Sequence, residues 1–468
     1  MKKLFILLFI QLALCCTSFA TNYLTFTAEE DNSEFSIRDH NIKSKIFYSL
    51  DNGKTWNKLT AQLVNLAKGE QALLKGEEPD EKPTLDNYSS FRMTGAIAAS
   101  GSVMSLIDGN GESKTIPYAK CFYKLFYNCY SLTQAPELPA TTLKKECYSE
   151  MFSGCSSLTQ TPKLPATTLE EECYLVMFSG CTSLTQAPEL PATTLAVSCY
   201  QSMFYNCTSL TKAPELPATT LAEWCYNSMF DGCTSLTKAP ELPATTLAKL
   251  CYGCMFFDCT SLTKAPELPA TTLAELCYLS MFSGCSNLTQ APELPATTLA
   301  KSCYNYMFLD CTSLTKAPEL PAPKLEKDCY SYMFYGCKNL SRIKVAFIDW
   351  DWETGTSLWV TDVAKNGTFI CPKDLPEIYG ETHIPDGWTV IREEDLSTEA
   401  VAATEGTTVH TSGLTIFVCN TDADIEVYEV GGKLIGKART MSGEAQITVS
   451  QSGIYLVKAG AQTLKVAL

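Results

Sequence analysis

The chain has 468 residues, 46% of them hydrophobic and 19% charged, with a formal net charge of -15. That length exceeds one compact core and sets roughly three domains as the starting expectation. The acidic balance argues against nucleic acid and anionic membrane surfaces, which need basic patches to displace counterions. Only three histidines occur, His40, His383 and His410, in three different regions, so a histidine-based catalytic or metal site is not expected.

Residues 1–20 read as an export signal. Lys2 and Lys3 form the charged start, Leu4 to Leu14 the apolar core, and Ser18-Phe19-Ala20 places small residues where a signal peptidase reads. The expected mature chain starts at Thr21. Lipid anchoring through Cys15 or Cys16 is the alternative, although Leu12-Ala13-Leu14 fits a lipobox poorly. No other stretch reaches the run of about eighteen apolar residues that a membrane span needs, so no transmembrane segment is expected and the location is extracellular or the outer cell surface.

Residues 21–117 alternate apolar and polar side chains, as in Tyr23-Leu-Thr-Phe-Thr27 and Ile46-Phe-Tyr-Ser-Leu50. Turn signals at Asp51-Asn-Gly53 and Asp108-Gly-Asn-Gly111 separate the runs, which predicts a small antiparallel β domain, sandwich-like. The run Ser49-Leu-Asp51-Asn-Gly53-Lys-Thr55-Trp56 matches the Asp-box of sialidases. That box is a hairpin turn without a catalytic group of its own. Sialidases repeat it around a propeller and add an arginine cluster, whereas here it stands once in a short domain, so a structural hairpin is the expected role.

From 118 to 345 one pattern dominates. Cys129, Cys155, Cys181, Cys207, Cys233, Cys259, Cys285, Cys311 and Cys337 recur every 26 residues, and a second series from Cys121 to Cys329 runs eight residues ahead. Self-similarity at this period marks a solenoid, in which each unit buries its apolar face by stacking on its neighbours. The expected fold is an α/β solenoid of 26-residue repeats, about nine coils, flanked by N- and C-terminal β-sandwich-like domains. Within one unit, Cys199, Met203, Phe204 and Cys207 recur near 3.6-residue spacing and predict a short helix. Leu210, Leu216 and Leu221 then suit extended segments. Pro214 and Pro217 recur in most coils and cannot donate to a ladder, which predicts weak strands or polyproline-like stretches instead of a broad parallel sheet.

The pattern Met-Phe-x-x-Cys-x-x-Leu-x-x-x-x-x-Leu-Pro, from Cys121 to near Val345, resembles the leucine-rich repeat of BspA-like bacterial surface proteins. It departs from that family where Met replaces the usual Ala before Phe and where Cys replaces Ile. The resemblance implies display on anaerobic bacteria and attachment to host proteins or other cells.

Regular cysteines in an exported chain invite a disulfide framework. A helix from Cys199 to Cys207 would hold their Cα atoms ~12 Å apart, beyond the ~7 Å limit of a disulfide, and nine residues in a column cannot all pair. Two buried columns of reduced thiols are expected. Zinc is disfavoured because Cys251 and Cys254 form the single Cys-x-x-Cys pair in the repeats.

Residues 346–391 carry Trp350, Trp352, Trp359, Phe369 and Trp388. A repeat stack must cover its last coil, so these predict a C-terminal aromatic cap, with exposed tryptophans for a sugar or peptide as the rival reading. Residues 392–408 read as a linker. Residues 409–468 alternate again, through Ile425-Glu-Val-Tyr-Glu-Val430, Gly431-Gly432 and Gly453-Ile-Tyr-Leu-Val-Lys458. This C-terminal β domain resembles the sorting domain of the type IX secretion system, which implies display or release at the surface.

Comparing repeats within the chain separates constant from variable positions. Glu189, Glu215, Glu241, Glu267, Glu293 and Glu319 would form a column, interrupted by Lys163 and partly neutralised by lysines such as Lys212, Lys238 and Lys264. A solvated mixed-charge face is expected there, with no metal and no cofactor. The variable residues precede the first cysteine or flank Met-Phe: Trp224, Phe257, Tyr306, Tyr205, Leu250 and Leu276 are the candidate ligand-binding residues, because interfaces concentrate such anchors. Drift after duplication, with some side chains tucked between coils, is the competing explanation. No Asp/Glu pair, nucleophile elbow or metal constellation marks a catalytic site. The expected function is non-catalytic adhesion to a host extracellular matrix protein, a mucin, a glycan or another cell surface, by a monomer that binds no nucleic acid. A surface scaffold without a dedicated ligand is the alternative, and a glycosidase suggested by the Asp-box stands last.

Overall fold

The structure is a computed structural model that describes residues 22–40, 45–350 and 355–392. Toward the C-terminus it describes 408–412, 415–419, 424–429, 434–439, 444–449, 453–459 and 462–467. The expected leader with Cys15 and Cys16, Trp352, most of the 392–408 linker and the Gly431-Gly432 turn lie outside the described residues. The chain divides into two compact units, Met1–Pro266 and Glu267–Leu468.

The first unit opens with β1 (Leu24–Ala28), β2 (Ser33–His40), β3 (Ile46–Ser49), β4 (Asn57–Lys58), β5 (Val64–Leu66), β6 (Gln71–Gly76), β7 (Tyr88–Thr94) and β8 (Ile97–Ser100). They form two antiparallel arrays, β4-β3-β6-β1-β8 and β5-β2-β7. In β1 the buried Leu24, Phe26 and Ala28 alternate with half-buried Thr25 and Thr27, the period-2 signature of a strand with one face on a core. The two sheets meet there: the Phe26 ring lies 5.2 Å from Phe35 of β2 and 5.0 Å from Phe91 of β7, both edge-on. The four-residue helix α1 (Ser105–Asp108) follows and ends at Gly109, whose φ of 73° needs a residue without Cβ. β9 (Leu132–Gln134), from the first repeat, pairs parallel with β8, and Phe126 packs 5.1 Å from Phe91. The sheet thereby covers the first coil of the stack.

The expected helix at 199–207 is absent. The segment is instead a run of overlapping turns whose backbone donors alternate strictly. Gln201, Met203, Tyr205 and Cys207 N–H groups donate three residues back, to Ser198, Tyr200, Ser202 and Phe204 carbonyls. Between them, Tyr200, Ser202, Phe204 and Asn206 donate to Cys225, Asn227, Met229 and Asp231 of the next coil, at 2.7 to 3.1 Å. Ser198, Ser202 and Asn206 hold left-handed φ of 52°, 52° and 55°, which costs a non-glycine residue about 1–2 kcal/mol and is held in place by the bonds between coils. The error has a physical source. Residues point inward in pairs (Cys199 and Tyr200, Met203 and Phe204) with outward pairs between them, a four-residue period that over nine residues matches a helical one.

Stacking then repeats the same contacts coil after coil. Tyr200 lies 5.7 Å from Tyr174 and 5.8 Å from Tyr226, and Phe204 lies 5.8 Å from Phe178 and 5.7 Å from Phe230, all with parallel rings. The Cys207 thiol is fully buried and donates to the Phe178 carbonyl at 3.1 Å. On the other side of the coil Leu210, Leu216, Ala218 and Leu221 fill the core. Coils there meet at isolated parallel bridges such as Thr168 with Thr194, Gln186 with Lys212 and Thr220 with Thr246.

In the second unit the turn run continues with the same alternation, as in Tyr304 and Tyr306 donating to Cys329 and Ser331. A parallel sheet starts at the last proline-flanked coil: β10 (Glu319–Leu320), between Pro318 and Pro321, β11 (Arg342–Val345), β12 (Thr368–Cys371) and β13 (Thr389–Arg392) pair in chain order. The coil at 342–345 reads Arg-Ile-Lys-Val in place of the proline-flanked run, so its donors are available. Stacking also runs past Val345. Tyr330, Tyr332, Phe334 and Gly336 donate to Gly355, Ser357, Trp359 and Thr361, and Trp359 sits fully buried 26 residues after Met333. The aromatic segment thus contains a degenerate coil.

The unit closes with β14 (Thr408–Ser412), β15 (Thr415–Cys419), β16 (Ile425–Glu429), β17 (Leu434–Ala438), β18 (Glu444–Thr448), β19 (Ile454–Ala459) and β20 (Gln462–Ala467). They form sheets β14-β15-β18 and β17-β16-β19-β20 around Ile416, Val418, Ile425, Val427, Tyr455 and Val457. Among the described residues no sheet closes on itself and the only helix is α1.

Candidate binding face

The outward pairs of the turn run carry the residues that differ from coil to coil. In the first unit Tyr205 is 39% exposed, and Trp224 and Phe257 are half-buried. Trp224 occupies a left-handed position, φ 59°, one residue before a cysteine that recurs in every coil. Asp231 stands in the same column as Tyr205 and Phe257, 26 residues from each. Burial, aided by the nearby Asp258 carboxylate, pushes its carboxyl up to about 7.

Leu250 departs from the expectation. It is 5% exposed and lies over Gly253, where a Cβ would meet Leu250 Cδ2 at 2.9 Å and Asn227 Nδ2 at 2.6 Å. The missing side chain at Gly253 leaves the room into which the leucine folds, so Leu250 is part of the packing and not of the face.

In the second unit Leu276 and Tyr306 are half-buried at φ 58° and 57°. The Tyr306 ring stacks on Tyr332 at 4.6 Å, and Tyr332 lies 6.1 Å from Tyr335. Tyr332 and Tyr335 were missed in the sequence. The signal was present, since Tyr332 follows Tyr306 by one repeat and Tyr335 falls in the column of Tyr205 and Phe257.

One outward column is ruled by sterics. Asn128, Asn206 and Asp310 are each followed one repeat later by Gly154, Gly232 and Gly336. A Cβ on these glycines would sit 2.0 to 2.2 Å from the Oδ1 of the preceding Asn or Asp. A Cβ in one coil would therefore push aside the polar side chain of the coil before it. Toward the N-terminal end the face is charged, with ion pairs Lys120–Glu146, Lys124–Glu150 (3.4 Å) and Lys145–Glu171 (2.8 Å). The opposite Glu189, Glu215 and Glu241 are exposed, as are Lys212 and Lys238.

The remaining candidate chemistry is committed to structure. Burial pushes the thiols of Cys199 and Cys251 up to about 12, so at neutral pH they are protonated and weakly nucleophilic. Asp51 is held by its own loop: Thr55 donates to it through N–H (2.9 Å) and hydroxyl (2.6 Å), and Ser49 through its hydroxyl (2.7 Å), which together hold its carboxyl well below the usual range. Trp350, Trp359 and Trp388 are buried, with indole N–H groups donating to the carbonyls of Pro376, His383 and Ala364 at 2.7 to 2.9 Å. They line a core, not a ligand surface. Among the described residues no group of three or more His, Cys, Asp or Glu converges as a metal site, and no helix is long and apolar enough to cross a membrane.

Against known families, residues 145–265 and 255–347 match the BspA type Leucine rich repeat region, in six copies. No curated protein matches the chain. The part of the chain from 145 to 347 is thus built of BspA-type leucine-rich repeats.

Proposed function

We propose that this is an exported bacterial surface protein that binds a partner without catalysis, and that its repeats are solenoid coils whose turn side meets a host matrix protein, a mucin, a glycan or another cell. The observation that carries this reading is the placement of variation: the core positions hardly change between coils, while Tyr205, Trp224, Phe257, Leu276 and Tyr306 fall in the outward pairs. Interfaces draw their energy from such aromatic anchors, and Tyr332 extends the set. Strand β19, with Tyr455 and Val457 buried, suits a sorting domain, and the leader at 1–20 suits export.

The test is binding of the purified full chain to arrays of matrix proteins, mucins and glycans. Two variants run beside it, one with Tyr205, Trp224 and Phe257 made serine and one with Tyr306 and Tyr332 made serine. A saturable hit weakened more than tenfold in either variant supports the reading. A folded chain with no hit sinks it in favour of a surface scaffold, and turnover of a sialoside would bring back the enzyme.

A further inference from the structure

An open cleft lies on the outer surface of the N-terminal sheet, lined by none of the outward residues of the turn run. Phe47 of β3 and Lys75 of β6 are direct cross-strand partners and so share one face. Their strand neighbours Ile46 and Leu74 are buried on the other. Trp56, from the loop before β4, joins them. The three residues, with Glu77, Glu78 and Asp108, line an open cleft of about 490 Å³, within the ~300–1,000 Å³ span of small-molecule sites.

The ring at the centre of the cleft is fixed before any ligand arrives. The Trp56 indole N–H donates to Gly53 O at 3.1 Å, and Tyr23 meets the ring edge-on at 5.2 Å. The Asp51 hydrogen bonds to Thr55 and Ser49 hold the loop that carries it. The motif from Ser49 to Trp56 thereby gains a role: it is a mount for an aromatic platform.

The polar groups decide what kind of molecule fits. Lys75 Nζ lies 4.3 Å from the Trp56 ring centroid, a cation–π contact that sets a hydrogen-bond donor beside the ring. Asp108 is spent on its own loop, accepting from the N–H groups of Asn110 (2.9 Å), Gly111 (2.6 Å) and Ser113 (2.8 Å). Glu77 and Glu78 are exposed at the rim and remain as acceptors, with Lys75 as donor. Carboxylates in excess repel an anion. A neutral molecule with an apolar flank for the rings and hydroxyls that both donate and accept satisfies every group present. We infer that this cleft binds a neutral pyranose, as a monosaccharide or the end of a glycan chain, in the N-terminal region and independently of the repeat face.

The experiment uses the full chain and a panel of methyl glycosides of glucose, galactose, mannose and N-acetylglucosamine, with lactose, maltose and cellobiose, followed by saturation-transfer NMR and titration. Free N-acetylneuraminic acid and butylamine serve as charged controls. At least one neutral sugar is expected to bind saturably, with a tenfold or greater loss in Trp56→Ala and in the Glu77→Gln/Glu78→Gln double variant. The double variant leaves the Trp56 loop bonds intact, so loop collapse cannot mimic its effect. Saturation by none of the neutral sugars, preference for either charged control, or binding unchanged in both variants overturns the proposal. The Tyr205, Trp224 and Phe257 variant leaves this binding unchanged, which separates the two readings.

Discussion

The two sides of a single coil in the first unit are built on opposite principles. On the turn side, from Ser198 to Cys207, every second N–H reaches the next coil and every other one closes a turn. On the far side, from Ala213 to Ala222, two prolines remove donors and the coils meet at single bridges. Both sides bury apolar residues, so burial alone does not distinguish them. The difference teaches that coil-to-coil cohesion through the backbone is denser on the turn side, while the proline side adds the packing of Leu210, Leu216 and Leu221 to sparse bonds such as Leu221 N–H to Thr246 O (3.0 Å).

Substitutions sharpen that contrast, beginning with the largest effect. Phe204→Ala removes a ring stacked on both neighbours and is expected to cost about 3–5 kcal/mol. In a repeat stack this loss is local first, so hydrogen exchange should rise around Phe178, Phe204 and Phe230 before distant coils respond. Uniform loss of protection across the chain would contradict a stack held by nearest-neighbour contacts.

Gly232→Ala tests the outward column. Its φ is 72° and its Cβ would lie 2.1 Å from Asn206 Oδ1, so a destabilisation of about 1–3 kcal/mol is expected. Adding Asn206→Gly removes the contact and should bring the cost down to that of the left-handed backbone alone, about 1 kcal/mol. Urea unfolding of the single and double variants measures this. Additive effects of the two changes would show that the glycine is there for another reason.

Asp231 offers a pH test. Its carboxyl is held at about 7 in the fold, above its unfolded value near 4. A raised carboxyl means that the native state holds the proton more tightly. That contribution is complete below about pH 4 and is lost as the pH rises through 7. Thermal melts of the wild-type chain should fall across this window relative to those of Asp231→Asn, and parallel pH profiles would count against the half-buried placement.

Pro217→Thr probes the far side and should be the mildest. Pro217 is exposed, so the change is expected to cost under about 1 kcal/mol, chiefly by loosening the unfolded chain. A loss as large as that of Phe204→Ala would erase the distinction between the two sides.

Much of this was legible in the residues. The 26-residue register, the inward cysteines and leucines, and the weakness of strands beside Pro214 and Pro217 follow from composition and spacing, because identical positions in stacked coils share one environment. The β1 alternation was equally plain. The helix at Cys199–Cys207 was misread because Tyr200 was left out of the apolar set. With it included, the inward residues come in pairs at a four-residue period. Leu250 was misplaced because its fate depends on Gly253 of the same coil and Asn227 of the preceding one, a contact that no single column reveals.

By itself, then, the sequence determined that the centre of this chain is built of leucine-rich repeats, which residues face inward, and where the repeats vary. Tertiary structure alone decided the path of the backbone between inward residues, since hydrogen bonds to a neighbouring coil stabilise left-handed positions that local propensity disfavours. It also decided which variable side chains stand out and which fold away, and it brought Trp56, Phe47 and Lys75 to one cleft. Those outcomes depend on atoms distant in the chain competing for the same space, and sequence spacing does not encode that competition.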